Sequence, residues 1–285
     1  MERHGFMTDV IDRALSHVPD LLRETAERVI LPRYQTLADD EIREKTSADD
    51  LVTIADEESE ALLTEGLLKL LPGSLVVGEE AVAAEPSAIH RLGGSEPVWV
   101  IDPLDGTANF AAGNPTFAVM VALVQNNETI AAFVYDPLGQ RMAEARPGAG
   151  AFINTERVRI PARKPGKARV SVSVRFWPPE IAEASRLETI EQIEPLMCAG
   201  QEYLRLVAGG IDAASYWRLL PWDHAAPALI AMEAGARIRH PDGATYHPYC
   251  APRLGLIASH PDVWDEARLS SYPDLALVPG SGSAG

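Results

Sequence analysis

The chain has few cysteines and no long hydrophobic run. Its 285 residues include two cysteines, Cys198 and Cys250, which lie far apart and form no CxxC pattern. Such a pair signals neither a zinc site nor a disulfide framework, so both are predicted to be free thiols in a reducing cytoplasm. Residues 1–12 lack the apolar core of a signal peptide. The longest uncharged run, between Asp105 and Glu128, is interrupted by polar residues, and a buried strand is favoured over a membrane span.

Basic residues are also scarce relative to acidic ones. The chain has 25 Lys and Arg side chains against 41 Asp and Glu, a net charge of −16. Such a surface repels nucleic-acid phosphates and anionic lipids, so neither nucleic acid nor a membrane is an expected partner. An anionic substrate would need local positive charge, which bound metal ions can supply. The 46% hydrophobic and 23% charged content is typical of a soluble globular protein.

The hydrophobic pattern predicts alternating blocks of helices and strands, and hence a layered α/β (α+β) sandwich. The segment 81–96 is predicted to be an exposed connection. Helices are predicted over 10–37, 51–71, 179–193, 201–209 and 222–234, and strands over 74–77, 97–101, 117–124, 129–135, 170–174, 213–217 and 254–258, with further short strands within 141–160.

A basic, turn-rich stretch, 161–167, is predicted to divide the chain. The N-terminal α+β half, 1–160, would carry the main site, and the C-terminal α/β half, 161–278, would complete it. The Gly-, Ser- and Ala-rich end, 279–285, is predicted to be a disordered tail.

Acidic residues follow two of the predicted strands. Glu79 comes after one strand, and Asp102 and Asp105 come after the next, separated by a Pro-Leu turn. Functional groups of α/β proteins commonly gather at strand ends. Two carboxylates three residues apart across a turn can face one point, where the Leu104 carbonyl can join them. These are hard oxygen ligands of the kind that Mg²⁺ takes, and such close carboxylates need a cation or raised pKa values.

Gly106 and Thr107 directly follow these acids. Glycine allows a tight turn, and Thr107 offers a hydroxyl and an N–H where N–H groups can hold phosphate oxygens. Taken alone, this segment is more often a turn, and Asp223 at the start of a predicted helix is more often a cap. As one of three acidic sites near element ends, Asp223 gains a second interpretation as a metal ligand.

Four segments resemble, in order and spacing, the motifs of the inositol monophosphatase family, a Mg²⁺-dependent and lithium-sensitive phosphatase superfamily. The stretch 99–110 is similar to its first signature and 222–235 to its second. Gly78-Glu79-Glu80 resembles the upstream acidic motif, and Lys45 with 50–56 resembles the N-terminal motif. The resemblance implies the αβαβα sandwich of the inositol monophosphatase and fructose bisphosphatase type, usually a homodimer, with lithium inhibition common.

The resemblance also implies two or three Mg²⁺ ions. Glu79, Asp102 and the Leu104 carbonyl would bind the first ion. Asp102, together with Asp105 and Asp223, would bind a second. Paired metals of this kind stabilise the attacking and leaving oxygens of an in-line displacement.

The catalytic groups follow from the same resemblance. Glu79 and Thr107 would orient and deprotonate the attacking water, and Asp56 could reach a third, weaker ion through water. The amides of Gly106 and Thr107 would hold the phosphate.

The substrate side departs from the family pattern. Cys198 and Ala199 stand where the family often has Gly-Ser-Ala or Gly-Thr-Ala. Tyr216 stands where many inositol enzymes place a glutamate that holds sugar hydroxyls, so discrimination for inositol itself is expected to weaken. Arg218 could pair with a second phosphate or a carboxylate, although a surface ion pair is the favoured interpretation. The predicted substrate-binding residues are Asp105, Gly106, Thr107, Cys198, Ala199, Tyr216, Arg218 and Asp223.

Five residues near this region are given structural interpretations. Cys198 is interpreted as a small buried hydrophobe, and Trp217, like Tyr216, as a core or interface residue. His224 is a poor ligand for Mg²⁺ and is interpreted as flanking structure. Pro227 replaces a glycine of the second signature and, near a helix start, is expected to affect the metals little.

Three functional hypotheses follow. The first is a phosphatase of inositol monophosphate or a similar polyol phosphate. The second is a bisphosphate nucleotidase, a histidinol phosphatase or a fructose-1,6-bisphosphatase of the same family, which Arg218 and the missing glutamate favour. The third is an inactive regulatory or binding homologue, which the intact metal-site residues disfavour.

Overall fold

The structure is a computed structural model that describes residues 2–45, 51–249 and 255–278. No helix within these ranges is long and apolar enough to cross a bilayer. Some residues that the sequence predictions include lie outside these ranges, namely Asp50, Cys250, Leu254 and the predicted tail 279–285.

Helices precede, interrupt and follow the strands. Short 3₁₀ and π turns extend or connect several of them. The helices are α1 (Glu2–Leu15), α2 (Val18–Thr25), α3 (Ile54–Leu70), α4 (Glu79–Ala84), α5 (Thr107–Ala111), α6 (Pro179–Ala184), α7 (Ala199–Val207), α8 (Pro221–Glu233) and α9 (Trp264–Ser271). The shorter turns are Ala26–Ile30 (π) and Leu31–Arg33, Asp39–Glu41, Pro86–Gly93, Val174–Phe176, Leu187–Thr189, Pro261–Val263 and Leu275–Leu277 (3₁₀).

The strands form a two-stranded, a seven-stranded and a five-stranded sheet. The strands are β1 (Ile42–Glu44), β2 (Leu51–Thr53), β3 (Leu75–Gly78), β4 (Val98–Asp105), β5 (Ala118–Gln125), β6 (Glu128–Asp136), β7 (Arg141–Arg146), β8 (Gly150–Ile153), β9 (Glu156–Val158), β10 (Arg169–Val172), β11 (Glu191–Ile193), β12 (Ala213–Tyr216), β13 (Arg237–Arg239) and β14 (Leu256–Ser259).

The seven-stranded sheet runs in the order β3-β4-β5-β6-β7-β8-β9, with only β3 and β4 parallel. The five-stranded sheet runs β11-β10-β12-β14-β13, with β10 parallel to both of its neighbours. β1 and β2 form the antiparallel pair.

The layers alternate helix and sheet. α2 and α3 cover one face of the seven-stranded sheet, α7 and α8 lie between the two large sheets, and α9 covers the far face of the five-stranded sheet. The sequence of β4 is continuously apolar because both faces of the strand are buried. Trp99 and Ile101 pack in the core under α3, and Val98 and Val100 pack in the core under α8. The predicted αβαβα sandwich is confirmed. The division of the chain at 161–167 stays a prediction. The two halves share one core, since helices of the second half pack on the sheet of the first half.

The N-terminal helix predictions are partly wrong. The helix predicted over 10–37 is interrupted after Leu15, and Pro19 marks the start of α2. Residues 51–53 of the helix predicted over 51–71 form β2 instead, and α3 begins directly after Thr53. Thr53 is the cap: its hydroxyl accepts a bond from the Ala55 N–H, and its own N–H donates to the Asp56 carboxylate.

Two other segments differ in part from their predictions. Within 179–193 the helix ends at Ala184, and the remainder forms a 3₁₀ turn and the edge strand β11. The segment 81–96 is mostly exposed, as predicted, but it contains the end of α4 and a 3₁₀ turn whose Ala88 and Leu92 are buried.

Candidate active site

A bulge in β4 turns two carboxylates towards one cleft. Asp102 pairs with Met120 and Asp105 with Ala118, so the two residues between the acids lie opposite a single residue of β5. On a regular strand, side chains three residues apart point to opposite faces, and the extra residue of a bulge removes that difference. The Leu104 N–H donates to Asp102 Oδ1 at 3.1 Å. The predicted Pro-Leu turn is therefore a bulge inside the strand, which runs on to Asp105.

Gly106 makes the sharp exit from this strand. Its φ of +88° is in the left-handed region, and a Cβ placed there would lie 2.9 Å from the Thr116 carbonyl oxygen and 3.2 Å from Cys198 Cβ. Only glycine fits this conformation and this space. The turn caps the short helix α5, in which Thr107 is the first residue.

Four carboxylates, here called the acidic cluster, line one cleft of about 750 Å³. Asp102 and Asp105 come from β4, Glu79 from the first residue of α4, and Asp223 from the first turn of α8. No side-chain bond caps the start of α8, so capping does not account for Asp223. The structure thus brings together acids separated by as much as 144 residues of sequence (223 − 79).

The carboxylates of the acidic cluster resist full ionisation. Burial raises the pKa of Asp102 well above its ordinary value, and the charges of neighbouring carboxylates, Glu79 first, raise it further. Burial and then Glu79 likewise raise the pKa of Asp223 well above its ordinary value, against the opposing charge of Arg218. Such groups ionise together only when positive charge is supplied.

The start of α7 holds the carboxylate of Asp105. The N–H of Ala199 donates to its Oδ1 at 3.0 Å, and the N–H of Gly200 donates to its Oδ2 at 2.7 Å. Cys198 Sγ lies 3.0 Å from the same Oδ2. Burial raises the pKa of Asp105, and these bonds lower it. Cys198 and Ala199 therefore contact the acidic cluster itself, which is a more direct position than the sequence suggested.

Cys198 is buried, as predicted for a small hydrophobic residue. Burial and then the negative charge of Asp105 raise its thiol pKa well above the ordinary value. The thiol is therefore held protonated, and it is not an activated nucleophile.

Lys45 supplies positive charge beside the cluster. Its Nζ lies 2.8 Å from Glu79 Oε1 and 2.6 Å from Glu80 Oε1. Burial opposes the lysine charge, but the two glutamates outweigh it, and the pKa of Lys45 is raised. Burial also raises the pKa of Glu80 to about 7, although Lys45 opposes this change.

Thr107 and Asp56 form a hydrogen-bonded pair at the edge of the cleft. Thr107 Oγ1 lies 2.9 Å from Asp56 Oδ1 and 3.0 Å from the Leu104 carbonyl oxygen. The other oxygen of Asp56 accepts bonds from the N–H and hydroxyl of Thr53 at 2.8 and 2.6 Å. Burial raises the pKa of Asp56 to about 6 despite these bonds. Asp56 thus has a capping role in α3 in addition to its contact with Thr107.

Glu60 supports the site although no sequence motif indicates it. This buried residue of α3 accepts hydrogen bonds from the N–H groups of Glu80 and Ala81, both at 2.8 Å, and so fixes the start of α4 that carries Glu79. A Cβ at Gly78 would lie 2.3 Å from the Glu60 carboxyl carbon. The glycine before the two glutamates was the available signal, since it marks a close approach.

The donor chemistry of the cleft fits a hard divalent cation. No three His, Cys, Asp or Glu side chains in the described ranges are grouped to hold a metal ion as they stand. The cleft nevertheless offers carboxylate oxygens and the Leu104 carbonyl, which are the ligands that Mg²⁺ takes. Its acids repel one another, and the bonds of Lys45 to described residues go to Glu79 and Glu80. The assignment of individual ligands stays a prediction.

A second cavity of about 230 Å³ adjoins the cleft, and it is here called the side cavity. Tyr216 and Tyr203 stack in its neighbourhood with ring centroids 5.3 Å apart. His224 lies between Tyr203 and the Arg218 carbonyl, 3.1 and 3.2 Å away, and burial lowers its pKa to about 4. His224 is thus flanking structure, as predicted, and Trp217 is a core residue.

Arg218 lies on the boundary between the cleft and the side cavity and lines both. Its guanidinium carbon is 5.1 Å from the centre of the Phe176 ring, a cation–π contact. It has no carboxylate partner among the described residues, so the surface ion pair favoured from sequence is wrong for this part of the chain.

Pro227 lies further into its helix than predicted. It is the seventh residue of α8, not a residue of the first turn. Without an N–H, Pro227 cannot donate to the carbonyl of Asp223 four residues earlier. The proline therefore changes the backbone bonding of a residue of the acidic cluster.

Comparison with known proteins gives consistent matches. The chain matches the inositol monophosphatase family over residues 15–275. It is 31% identical over 258 residues to the inositol-1-monophosphatase of Mycobacterium bovis, covering 85% of each chain. It is 30% identical over 200 residues to the fructose-1,6-bisphosphatase/inositol-1-monophosphatase of Thermotoga maritima, covering 70% of this chain and 75% of that protein.

A solved structure agrees with these matches. The IMPase of Thermotoga maritima superposes with a TM-score of 0.76 at 27% identity, covering 90% of this chain and 96% of that one. The fold, the acidic cleft and the sequence relatives lead to one conclusion: this chain belongs to the inositol monophosphatase family.

Proposed function

We propose that this chain is a Mg²⁺-dependent phosphomonoesterase that hydrolyses a small phosphorylated metabolite, with inositol monophosphate or a similar polyol phosphate as the first candidate. One observation carries the proposal: the acidic cluster lines a single cleft and raises the pKa values of its own members. Family membership supports the phosphatase reaction. Two or three ions would be held by Glu79, Asp102, the Leu104 carbonyl, Asp105 and Asp223.

The chain's own groups would handle the proton of the attacking water. Thr107 Oγ1, within 2.9 Å of Asp56 Oδ1, can accept a proton from water while it passes its own proton to that carboxylate. Glu79, held by Lys45 at 2.8 Å, would orient the same water. Bound Mg²⁺ would supply positive charge against the phosphate oxygens and make water more acidic.

The phosphate would lie against the turn at Gly106 and Thr107. The close contacts of Gly106 leave no room for a Cβ, so the backbone amides there can approach a ligand closely. Asp105 and Asp223, whose carboxylates line both the cleft and the side cavity, would lie near the oxygen of the leaving alcohol.

Arg218 favours a second candidate activity on bisphosphates. This cation lies between the cleft and the side cavity and contacts a ring instead of a carboxylate. A guanidinium binds phosphate or carboxylate with paired hydrogen bonds. A bisphosphate nucleotidase, histidinol phosphatase or fructose-1,6-bisphosphatase activity would use it for a second charged group on the substrate. The Thermotoga maritima relative is named for both fructose-1,6-bisphosphatase and inositol-1-monophosphatase.

An inactive regulatory homologue is the alternative of another class. The presence of the acidic cluster, Lys45, Asp56 and Thr107 in one region argues against it. As in the family at large, a homodimer, lithium inhibition and a cytoplasmic location are part of the proposal.

A substrate panel tests the proposal. Release of phosphate from inositol monophosphate, fructose-1,6-bisphosphate, adenosine 3′,5′-bisphosphate, histidinol phosphate and 4-nitrophenyl phosphate would be measured while Mg²⁺ is titrated, with and without lithium. We expect Mg²⁺-dependent hydrolysis that lithium inhibits. The absence of Mg²⁺-dependent release from every ester would reject the phosphatase. Inositol monophosphate hydrolysed no better than 4-nitrophenyl phosphate would reject the polyol candidate.

A further inference from the structure

The side cavity lies where the leaving part of a substrate would extend. It shares Asp105, Met197, Arg218 and Asp223 with the walls of the cleft, so a phosphate ester held at the acidic cluster can reach into it. At about 230 Å³ it has room for a small alcohol rather than for a macromolecule. Its lining therefore determines which alcohol fits.

Three polar atoms of the cavity lining are buried without a hydrogen-bond partner among the described residues. They are Oε1 of Glu202, which lies near Ser171, the hydroxyl of Ser215, which lies near Tyr272, and the hydroxyl of Tyr216; none of the three makes a hydrogen bond of good geometry. Glu202 is only 3% exposed. Buried polar atoms in native proteins are nearly always bonded, so three unbonded atoms around one small cavity point to a ligand that bonds them.

Glu202 is held in place by one of its two oxygens. Its Oε2 accepts a bond from the N–H of Leu196 at 2.6 Å, whereas Oε1 makes no hydrogen bond of good geometry. The nearest cation, Arg205, has its Nη1 3.6 Å from Oε1, beyond hydrogen-bonding distance. Burial raises the pKa of Glu202, although its bond to Leu196, the charge of Arg205 and the hydroxyl of Ser171 oppose the change.

The position of Glu202 complements that of Tyr216. Tyr216 brings a ring and a hydroxyl to the cavity but no carboxylate, and its ring stacks on Tyr203, the residue after Glu202 in α7. Apart from Asp105 and Asp223 of the acidic cluster, Glu202 is the only carboxylate in the lining of this cavity within the described residues. A carboxylate with a free oxygen accepts hydrogen bonds and cannot donate them when ionised.

We propose that Glu202 is a specificity-determining residue that accepts hydrogen bonds from the leaving alcohol, and that the substrate is a phosphate ester whose alcohol carries hydrogen-bond donors. The donors are hydroxyl groups or a protonated nitrogen. Ser215 and Tyr216 bond the same alcohol from β12. The inference rests on the proposed phosphatase function and deepens it.

The test compares esters with and without donors. Inositol monophosphate carries hydroxyls, histidinol phosphate carries protonated nitrogen, and 4-nitrophenyl phosphate carries no donor on its leaving group. The variant Glu202→Gln keeps an acceptor for the Leu196 N–H but loses the charge. The matched control is Glu194→Gln, an exposed glutamate close by in sequence, which loses the same charge away from the cavity lining.

The expected result is a change in selectivity. In the wild type, kcat/KM for one donor-bearing ester exceeds that for 4-nitrophenyl phosphate, and Glu202→Gln lowers this ratio about ten-fold or more, mainly through KM. In this variant the one amide oxygen accepts from the Leu196 N–H, so an NH2 group replaces the second carboxylate oxygen, and a protonated nitrogen or a hydroxyl donor on the alcohol loses its acceptor. A loss confined to histidinol phosphate therefore identifies a cationic alcohol, and a loss on inositol monophosphate identifies a polyol. Glu194→Gln leaves the ratio unchanged.

Binding of the free alcohols provides a second measurement. Inositol or histidinol should inhibit hydrolysis of 4-nitrophenyl phosphate competitively, with an inhibition constant that rises about ten-fold in Glu202→Gln. Equal losses on all three esters with a lowered Tm would show that Glu202 acts only in the structure, and an unchanged ratio would likewise overturn the inference. Absence of Mg²⁺-dependent hydrolysis of every ester by the wild type would instead reject the proposed function.

Discussion

The cleft and the side cavity share four wall residues but are built on different principles. The acids of the cleft either bond to other protein groups or lie beside one another. Asp105, for example, is held by three donors at the start of α7. The side cavity holds buried polar atoms that the protein leaves unbonded, including Oε1 of Glu202. The cleft therefore presents fixed acids that need positive charge, whereas the side cavity presents hydrogen-bonding atoms to a ligand. The comparison separates the chemistry of this enzyme from its selectivity.

The largest expected effect is at Asp223. Asp223→Asn removes a charge from the acidic cluster while keeping the size of the side chain. We expect kcat/KM to fall by about a thousand-fold on every ester, because electrostatic stabilisation by bound cations contributes several kcal/mol. The control, Asp265→Asn, changes an exposed aspartate in the first turn of α9. If Asp223→Asn lost activity only on some esters, the separation between chemistry and selectivity would be broken.

The next effect is at Thr107. Thr107→Val keeps the shape of the side chain but removes the hydroxyl that bonds to Asp56 at 2.9 Å. We expect kcat to fall by about a hundred-fold with little change in KM, the scale of general-base catalysis. Thr116→Val, in which the hydroxyl of a nearby threonine is removed, is the control. A rise in KM with kcat unchanged would place Thr107 in substrate binding and remove it from proton transfer.

Arg218 should produce a smaller and selective effect. Arg218→Ala removes a cation from the boundary of the two cavities. We expect kcat/KM for fructose-1,6-bisphosphate or adenosine 3′,5′-bisphosphate to fall about ten-fold relative to inositol monophosphate, since a hydrogen bond to a charged group contributes about 1.5–3 kcal/mol. The matched control is Arg175→Ala, which also removes an arginine over the Phe176 ring, 5.8 Å from its centre. A uniform loss on mono- and bisphosphates would remove the support for bisphosphate activity.

The same contrast explains what the sequence could predict. The site residues of β4 and α8 follow apolar runs and stand in short motifs, so Asp102, Asp105 and Asp223 were found. The bulge in β4 was not found, because register depends on the pairing with β5 and not on local propensity. Glu60 and Glu202 were missed because a glutamate on a predicted helix is normally expected to face solvent. Both are buried by elements that are distant in sequence.

Secondary-structure errors have a similar cause. The pattern over 179–193 is helical as far as Ala184, but Glu191–Ile193 becomes an edge strand because β10 offers a partner. Tyr216 was recognised as a departure from the family, yet its stacking on Tyr203 and the cavity beside it arise only when α7 packs on β12. Selectivity in this chain is a property of packing between elements, which a motif does not contain.

The smallest expected effect is at Cys198, where the two regions meet. Its thiol contacts Asp105 in the cleft and lines the side cavity. Cys198→Ser keeps a donor of similar size 3.0 Å from Asp105 Oδ2, and the family often has Ser or Thr there, so we expect kcat/KM to change by less than about three-fold on every ester. Cys198→Ala removes the donor and should cost more, although the amides of Ala199 and Gly200 still hold the carboxylate. Steady-state kinetics on a polyol phosphate and on 4-nitrophenyl phosphate would compare the two variants. A loss in Cys198→Ala that is equal on both esters would assign the thiol to the positioning of Asp105. A loss on the polyol phosphate alone would instead show that the thiol acts in alcohol selectivity, as part of the side cavity.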